Sequence, residues 1–452
     1  MYFVKHYLLT TLTVILLASF PFMGGTEILS TTPAVEALSI VLLMTLFLLQ
    51  QKYDFINRTT WIVVLLILLT PLLYLIPLPT ELWNQLPGRQ VYSQVLEWIL
   101  TQQPELDVSR TLSLIPYRTE HAFFALLPPI AIFLTVSALP EQQKLFIIYF
   151  ILGLATAEAS LAVIQFSTNN DFFYFGIPRL KQGIALGTYP NPDHFVLLME
   201  IALPLVLSLF AHELQHGKKR KDDGSISMML YILYSLLTIL FVSAAFFSGS
   251  RAGIPLALLS LILAYIVFMH NSASKQSVLY ILFVTIGIII LLSFLNLTPV
   301  INRFLVNNPF IDGRWLMFSV SGEGIASFFP VGSGPGTFPD IYRIFQPVTQ
   351  TGFINHAHND YLELIFETGL IGIFFILTFI YLSIRTWYRV KRIRVRKIHY
   401  LRIGAGISLL IMLLHSLVEF NLHDATNVLI FAVLSAIFFY ASHHTRMYMN
   451  QA

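Results

Sequence analysis

The 452-residue chain contains no cysteine. Disulfides, zinc–thiolate centres and cysteine nucleophiles are therefore excluded. Charge is also scarce: 11% of the residues are Asp, Glu, Lys or Arg, less than half of the roughly 25% usual in a soluble domain. The net charge of +3 is too small to argue for a nucleic-acid partner. There is no GxxxxGK[ST] phosphate loop and no Asp-x-Asp pair to hold a metal-bound nucleotide. The nearest acidic pair, Asp222-Asp223, is directly adjacent. No internal repeat or low-complexity tract interrupts the chain.

In place of charge the chain has apolar bulk: 56% hydrophobic residues, 38 Phe and 20 Tyr, with a mean hydropathy of +0.72. Apolar stretches fall near 7–23, 34–50, 59–77, 120–139, 143–166, 194–213, 229–249, 251–271, 277–297, 361–384, 402–421 and 425–444. Each is long enough to cross a ~30 Å hydrocarbon layer with some tilt. The expected architecture is an all-α polytopic membrane protein of about twelve transmembrane helices, forming a single membrane domain over 1–452. The first run ends in Ala18-Ser19-Phe20, without a small-x-small cleavage pattern, so an uncleaved first span is expected. Ser248-Gly249-Ser250-Arg251-Ala252-Gly253 separates two nearly continuous runs. An Arg at mid-membrane is costly, which predicts a tight turn at the membrane surface there.

The basic residues choose the sides. With the N-terminus in the cytosol, 18 of the 27 Lys and Arg fall on cytosolic segments, including Lys218-Lys219-Arg220-Lys221 and the run from Arg385 to Arg402. Both termini are then cytosolic, and segments near 78–119, 167–193 and 298–360 lie outside. The last is expected to be a long periplasmic loop between the ninth and tenth helices, closing over a site as a lid.

An outward-facing site has no access to cytosolic nucleotide sugars or ATP, so a transferase there must draw on a lipid-linked donor. Two outer arginines suit a diphosphate, because guanidinium presents a rigid fork of N–H donors and keeps its charge. They are Arg251 and Arg314, the latter in Asp312-Gly313-Arg314-Trp315. The alternative for each is snorkelling or pairing with a loop acid. The second constellation is Asn355-His356-Ala357-His358-Asn359-Asp360-Tyr361-Leu362-Glu363. Histidine is suited to proton transfer near neutral pH, and His358 is placed to take a proton from an attacking hydroxyl. Asn359, Asp360 and His356 are expected to position the ring or the acceptor. Competing readings are a metal bound by His356-x-His358, which lacks further ligands, and a helix cap at Asn359 or Asp360. Glu158, Glu200, Glu367, His415 and Glu419 fall inside predicted spans, where ionisable residues are functional candidates by default; interhelical hydrogen bonding is the preferred reading for Glu158 and Glu200.

These residues resemble the O-antigen ligase and polymerase family of bacterial inner-membrane proteins. His358-Asn359, nine residues and Gly369-Leu370-Ile371-Gly372 look like the ligase pattern. Ser250-Arg251-Ala252-Gly253, Gly187-Thr188-Tyr189-Pro190-Asn191, Gly334-Pro335-Gly336-Thr337-Phe338 and His415 to His423 resemble further family segments, so the likeness covers about 180–430. The family often has an Arg before the Gly-Thr-Phe-like segment. Here Ile184-Ala185-Leu186 stands there, with Arg179 and Lys181 upstream as candidate donor contacts. The resemblance implies a metal-independent, inverting glycosyltransferase of the inner membrane that needs no cofactor. It would move a glycan from undecaprenyl diphosphate to a hydroxyl of a glycan, lipid A core or protein acceptor. Arg251 and Arg314 would bind the diphosphate and His358 would be the catalytic residue. A polymerase of the same family, a lipid-linked wall polymerase, a transporter of lipid-linked solutes and a non-catalytic scaffold are the alternatives. A transporter would need charged residues along a central pathway and two pseudo-symmetric halves, neither of which is evident.

Overall fold

A computed structural model describes residues 2–19, 33–49, 55–105, 110–168, 184–216, 225–269, 275–293, 298, 300–302, 312–390 and 396–440. The first half runs through α1 (Tyr2–Ser19), α2 (Pro33–Leu49), α3 (Arg58–Tyr74), the short α4 (Thr80–Asn84), α5 (Gln90–Gln102), α6 (Pro116–Ala125), α7 (Leu127–Ala138) and α8 (Glu141–Ser167). Then come α9 (Pro192–His216), α10 (Ser225–Phe247), α11 (Gly253–Met269), α12 (Lys275–Ser293), α13 (Gly313–Phe328) and α14 (Phe338–Ile341). The chain continues through α15 (Asp360–Thr368), α16 (Leu370–Val390), α17 (Lys397–His415) and α18 (Ala425–Phe438). All twelve apolar runs carry helix. Six helical segments among the described residues are long and apolar enough to cross a membrane, and five more apolar helices are 10–17 residues long.

At the centre is α9, whose apolar window is entirely buried; α10, α11 and α17 pack around it. Such a helix has no polar face, so its polar groups must be satisfied inside. Pro204 lacks an N–H and cannot serve the carbonyl of Glu200 one turn earlier. Ser260 Oγ on α11 donates to that carbonyl at 2.7 Å. Ser408 Oγ on α17 donates to the next one, Ile201, at 2.8 Å. A buried carbonyl left without a donor costs about 1–3 kcal/mol, so these serines seat both neighbours on α9. The Glu200 carboxyl meets His415 Nδ1 at 3.1 Å, and Glu158 accepts from the Thr188 backbone N–H at 2.7 Å. Both glutamates are interhelical or helix-to-loop ties, as the preferred reading of the sequence has it.

The expected turn between the seventh and eighth runs is present: α10 ends at Phe247 and α11 starts at Gly253, with Gly249 at φ 61°. The run read as 361–384 is divided. Gly369 at φ 55° parts α15 from α16, and a Cβ there would meet the Pro330 carbonyl oxygen at 2.0 Å.

The described part of 298–360 is folded rather than open. Val320, Phe328, Phe338, Ile341, Tyr342, Ala357 and Phe366 form a second apolar core, with Tyr92, Leu114 and Ile115 against it. Buried Arg89 ties the segments near 78–119 and 298–360 together, its Nη2 donating to the carbonyls of Leu112 at 2.6 Å and Gly332 at 3.1 Å. The Leu114 N–H donates to Ser333 O at 2.9 Å, and Arg118 pairs with Asp340 at 2.8 Å. The Ser333 and Gly334 N–H groups donate to the carbonyls of Phe366 and Glu367 at 3.1 and 2.8 Å. This subdomain is thus anchored on α15, the helix that begins beside His358.

Candidate active site

Four elements converge on one carboxylate. Glu419, fully buried in the α17–α18 connection, accepts from Arg314 Nη2 at 2.7 Å and from His358 Nδ1 at 2.9 Å through the same oxygen, Oε2. Its other oxygen accepts from Asn191 Nδ2 at 2.8 Å, and His194 Nε2 lies 3.8 Å from it. Burial by itself would raise the Glu419 carboxyl. The His358 hydrogen bond and the Arg314 charge outweigh that burial and hold it below its usual value.

Arg314 is shared. Its Nη2 also pairs with Asp193 at 2.7 Å, the residue at the start of α9, and Asp193 in turn accepts from Ser250 Oγ. Burial works against the Arg314 charge, yet Glu419 and Asp193 together raise its pKa. Arg251 pairs with Asp312, and Asp312 caps α13 by accepting from the Arg314 backbone N–H at 3.0 Å. Burial opposes ionisation of Asp312, but that N–H and the two guanidiniums lower its pKa. One aspartate therefore sets both arginines. Among the described residues Arg251 makes its one ion pair and Arg314 its two through Nη2 alone, which leaves Nε and Nη1 as donors there. The side chains of Arg251, Arg314 and His358 are 28%, 22% and 28% exposed, whereas the Glu419 beneath them is sealed. That is an accessible cationic rim over a buried anionic base.

His358 adopts φ 51°, the one positive φ at a non-glycine residue among those described. The left-handed conformation is sparsely populated by residues with a Cβ and costs of the order of 1–3 kcal/mol when imposed. The next residue fixes it: Asn359 caps α15, its side-chain oxygen accepting from the N–H groups of Tyr361 and Leu362 at 3.0 Å each. Asn359 Nδ2 donates to Leu417 O at 2.8 Å, holding the Glu419 loop to the start of α15. The cap expected from the sequence is therefore Asn359. With Nδ1 donating to Glu419, the imidazole carries its proton on Nδ1, and Nε2 is the acceptor.

His356 turns the other way. Its Nδ1 meets Glu363 Oε1 at 2.8 Å, and the same oxygen lies 3.2 Å from His423 Nε2. His423 Nδ1 is braced by Asp360 at 3.0 Å. His356, Glu363 and His423 each bring a possible ligand atom within 4.8 Å of the others, a two-histidine, one-carboxylate set with a carboxylate behind one imidazole, the pattern of metal sites. The same groups also satisfy one another directly. The His356-x-His358 pair does not act as a unit, since the two rings serve different carboxylates. Phe420 links both arrangements, stacked on His356 at 4.3 Å and edge-on to His358 at 4.9 Å and His194 at 4.6 Å.

The structure thus brings Arg251, Arg314, His358, Asn359, Asp360 and His356 together, while Arg179 and Lys181 lie outside the described residues. Sequence reasoning singled out Glu419 for being ionisable within an apolar run but gave it no role, and it assigned none to Asp193. Residues 236–377 match a family model described as O-Antigen ligase. That segment is similar to the O-antigen ligase family. It contains Arg251, Arg314 and His358, while Asp193 and Glu419 come from the chain on either side of the O-antigen ligase match. Comparison with curated proteins gives no match.

The glycines of the ligase-like motifs acquire a physical reason. A Cβ on Gly253 would meet Val196 Cγ1 at 2.1 Å, so the turn after Arg251 packs directly on α9. Gly369 permits the break that lets α15 leave the line of α16.

Proposed function

We propose that this chain is a glycosyltransferase of the ligase or polymerase type, acting on the face opposite the cytosol. Its donor is a glycan on undecaprenyl diphosphate and its acceptor a sugar or other hydroxyl. The single observation that carries the reading is the shared oxygen of Glu419, which joins a guanidinium to an imidazole held in one tautomer.

In this reading the diphosphate binds against the remaining N–H donors of Arg251 and Arg314. The acceptor hydroxyl gives its proton to His358 Nε2 as its oxygen bonds to the anomeric carbon from the face away from the diphosphate. The bond from that carbon to the diphosphate oxygen breaks, its electron pair leaves on the carrier, and configuration inverts. Glu419 stabilises the imidazolium that forms. A bound diphosphate draws on the charge of Arg314, which leaves more of the Glu419 charge for His358. Donor binding and base strength are thereby coupled through one carboxylate. Electrostatic stabilisation of the leaving diphosphate is the largest effect expected, and base catalysis adds about 10²–10⁴-fold. Metal independence and inversion belong to this proposal, as does a lid role for the subdomain at 312–357.

The test is transfer from a carrier-linked glycan by membranes holding His358→Ala or Arg251→Ala. Each is expected to abolish transfer at unchanged expression and insertion; wild-type turnover by either removes that residue from the mechanism. In cells lacking the protein, accumulation of unligated polymer indicates a ligase and accumulation of single repeat units a polymerase.

A further inference from the structure

A second feature lies away from Arg251, Arg314 and His358. A cavity of about 600 Å³ opens between α3, α7, α16 and α18. Its deep walls are apolar, with Val63, Ile67, Phe133, Phe379 and Phe431 among them, and its rim carries Arg58, Arg385, Arg389 and Arg402. No Asp or Glu lines it. Arg58, Arg385 and Arg389 are exposed, but Arg402 is 3% exposed. Two of its guanidinium nitrogens share the Phe438 carbonyl at 3.4 and 3.2 Å. The third, Nη1, has no hydrogen-bond partner among the described residues, and neither does Ser435 Oγ in the same wall.

A buried guanidinium is ordinarily paired. Here one lines a cavity with no carboxylate, beside three more cations and above a hydrocarbon-like wall. A second cavity, of about 410 Å³, shares Val63, Ile67, Leu126, Pro129, Phe379 and Phe431 with the first and reaches Tyr361 and His423 at its far end. The apolar channel is thus longer than the cationic rim requires for a free anion. We propose that the cavity holds one anionic glycerophospholipid. Its phosphate sits on Arg402, Arg385, Arg389 and Arg58, and an acyl chain lies along Phe379 and Phe431. Basic pockets between transmembrane helices bind anionic headgroups in this way. The four arginines fall on the face that the charge distribution assigns to the cytosol, whose leaflet then supplies the lipid.

The experiment is native mass spectrometry of the full chain in detergent with equimolar phosphatidylglycerol and phosphatidylcholine. Wild type is expected to retain phosphatidylglycerol selectively. Arg385→Gln/Arg389→Gln, at two exposed positions, is expected to lower that affinity roughly 30-fold. Arg402→Gln is expected to abolish the selectivity. Equal retention of the two lipids, or unchanged selectivity in the exposed double variant, overturns the proposal. Displacement of the phospholipid by millimolar inorganic phosphate overturns the lipid assignment in favour of a simple anion site.

Discussion

Replacing Glu419 by Gln tests the site at its most connected atom. The carboxylate accepts from Arg314 at 2.7 Å, His358 at 2.9 Å and Asn191 at 2.8 Å. A glutamine offers a single acceptor oxygen and must turn its NH₂ toward one of those donors, a mismatch costing about 1–3 kcal/mol. Arg314 keeps Asp193 at 2.7 Å, so the variant is expected to fold with a lowered melting temperature. The kinetic effect is expected to be larger. His358 loses the anion that fixes its tautomer and stabilises its protonated form. The whole contribution of the base, about 10²–10⁴-fold, or about 3–5 kcal/mol of barrier, is then at stake. The assay is single-turnover transfer from a carrier-linked glycan in reconstituted vesicles, with protein quantity and melting followed in parallel. Asp193→Asn serves as the companion, because it loosens Arg314 without touching His358. It should raise the KM for the donor more than it lowers kcat, whereas Glu419→Gln should do the reverse. If Glu419→Gln is well folded and turns over at the wild-type rate while His358→Ala is inactive, the carboxylate has no part in managing the proton.

Gly369→Ala should destabilise the protein by about 1–3 kcal/mol, because φ 55° and the Pro330 carbonyl at 2.0 Å both reject a Cβ; an unchanged thermal midpoint in detergent refutes the close approach. His423 gives a pH prediction. Burial disfavours its charge, but Glu363 and the Asp360 hydrogen bond prevail and raise its pKa above the ordinary histidine value of about 6.5. A raised folded value means stability fully present below 6.5 and lost as pH rises through the folded pKa. Wild type should therefore lose thermal stability from neutral to alkaline pH more steeply than His423→Gln, and parallel melting curves for the two proteins contradict the pairing.

Most of the membrane helices were legible because each is one apolar run, and the turn at 248–253 because an arginine cannot remain at mid-membrane. The division of 361–384 was hidden, since Gly369 is as apolar as its surroundings and only its backbone conformation separates α15 from α16. The subdomain at 312–357 was hidden for another reason. Its helices make sense only against α15 and against Arg89 and Leu114, the last two far away along the chain. The cations of the site could be found from the sequence because arginine and histidine beside apolar runs are chemically suggestive alone. The pairings of the acids could not: Asp193 reaches Arg314 across 121 residues and Glu419 reaches His358 across 61, and nothing local announces those pairs. Yet these acids decide what the cations can do. Had Arg314 and His358 stood without Glu419, the two positive groups would repel as soon as the imidazole took a proton, with Asp193 beside Arg314 alone to offset the charge. Placing a fixed anion between them lets the imidazole accept a proton and Arg314 keep its charge at the same time. That is the arrangement a reaction requires when it forms a cation on the base and an anion on the leaving group in one step.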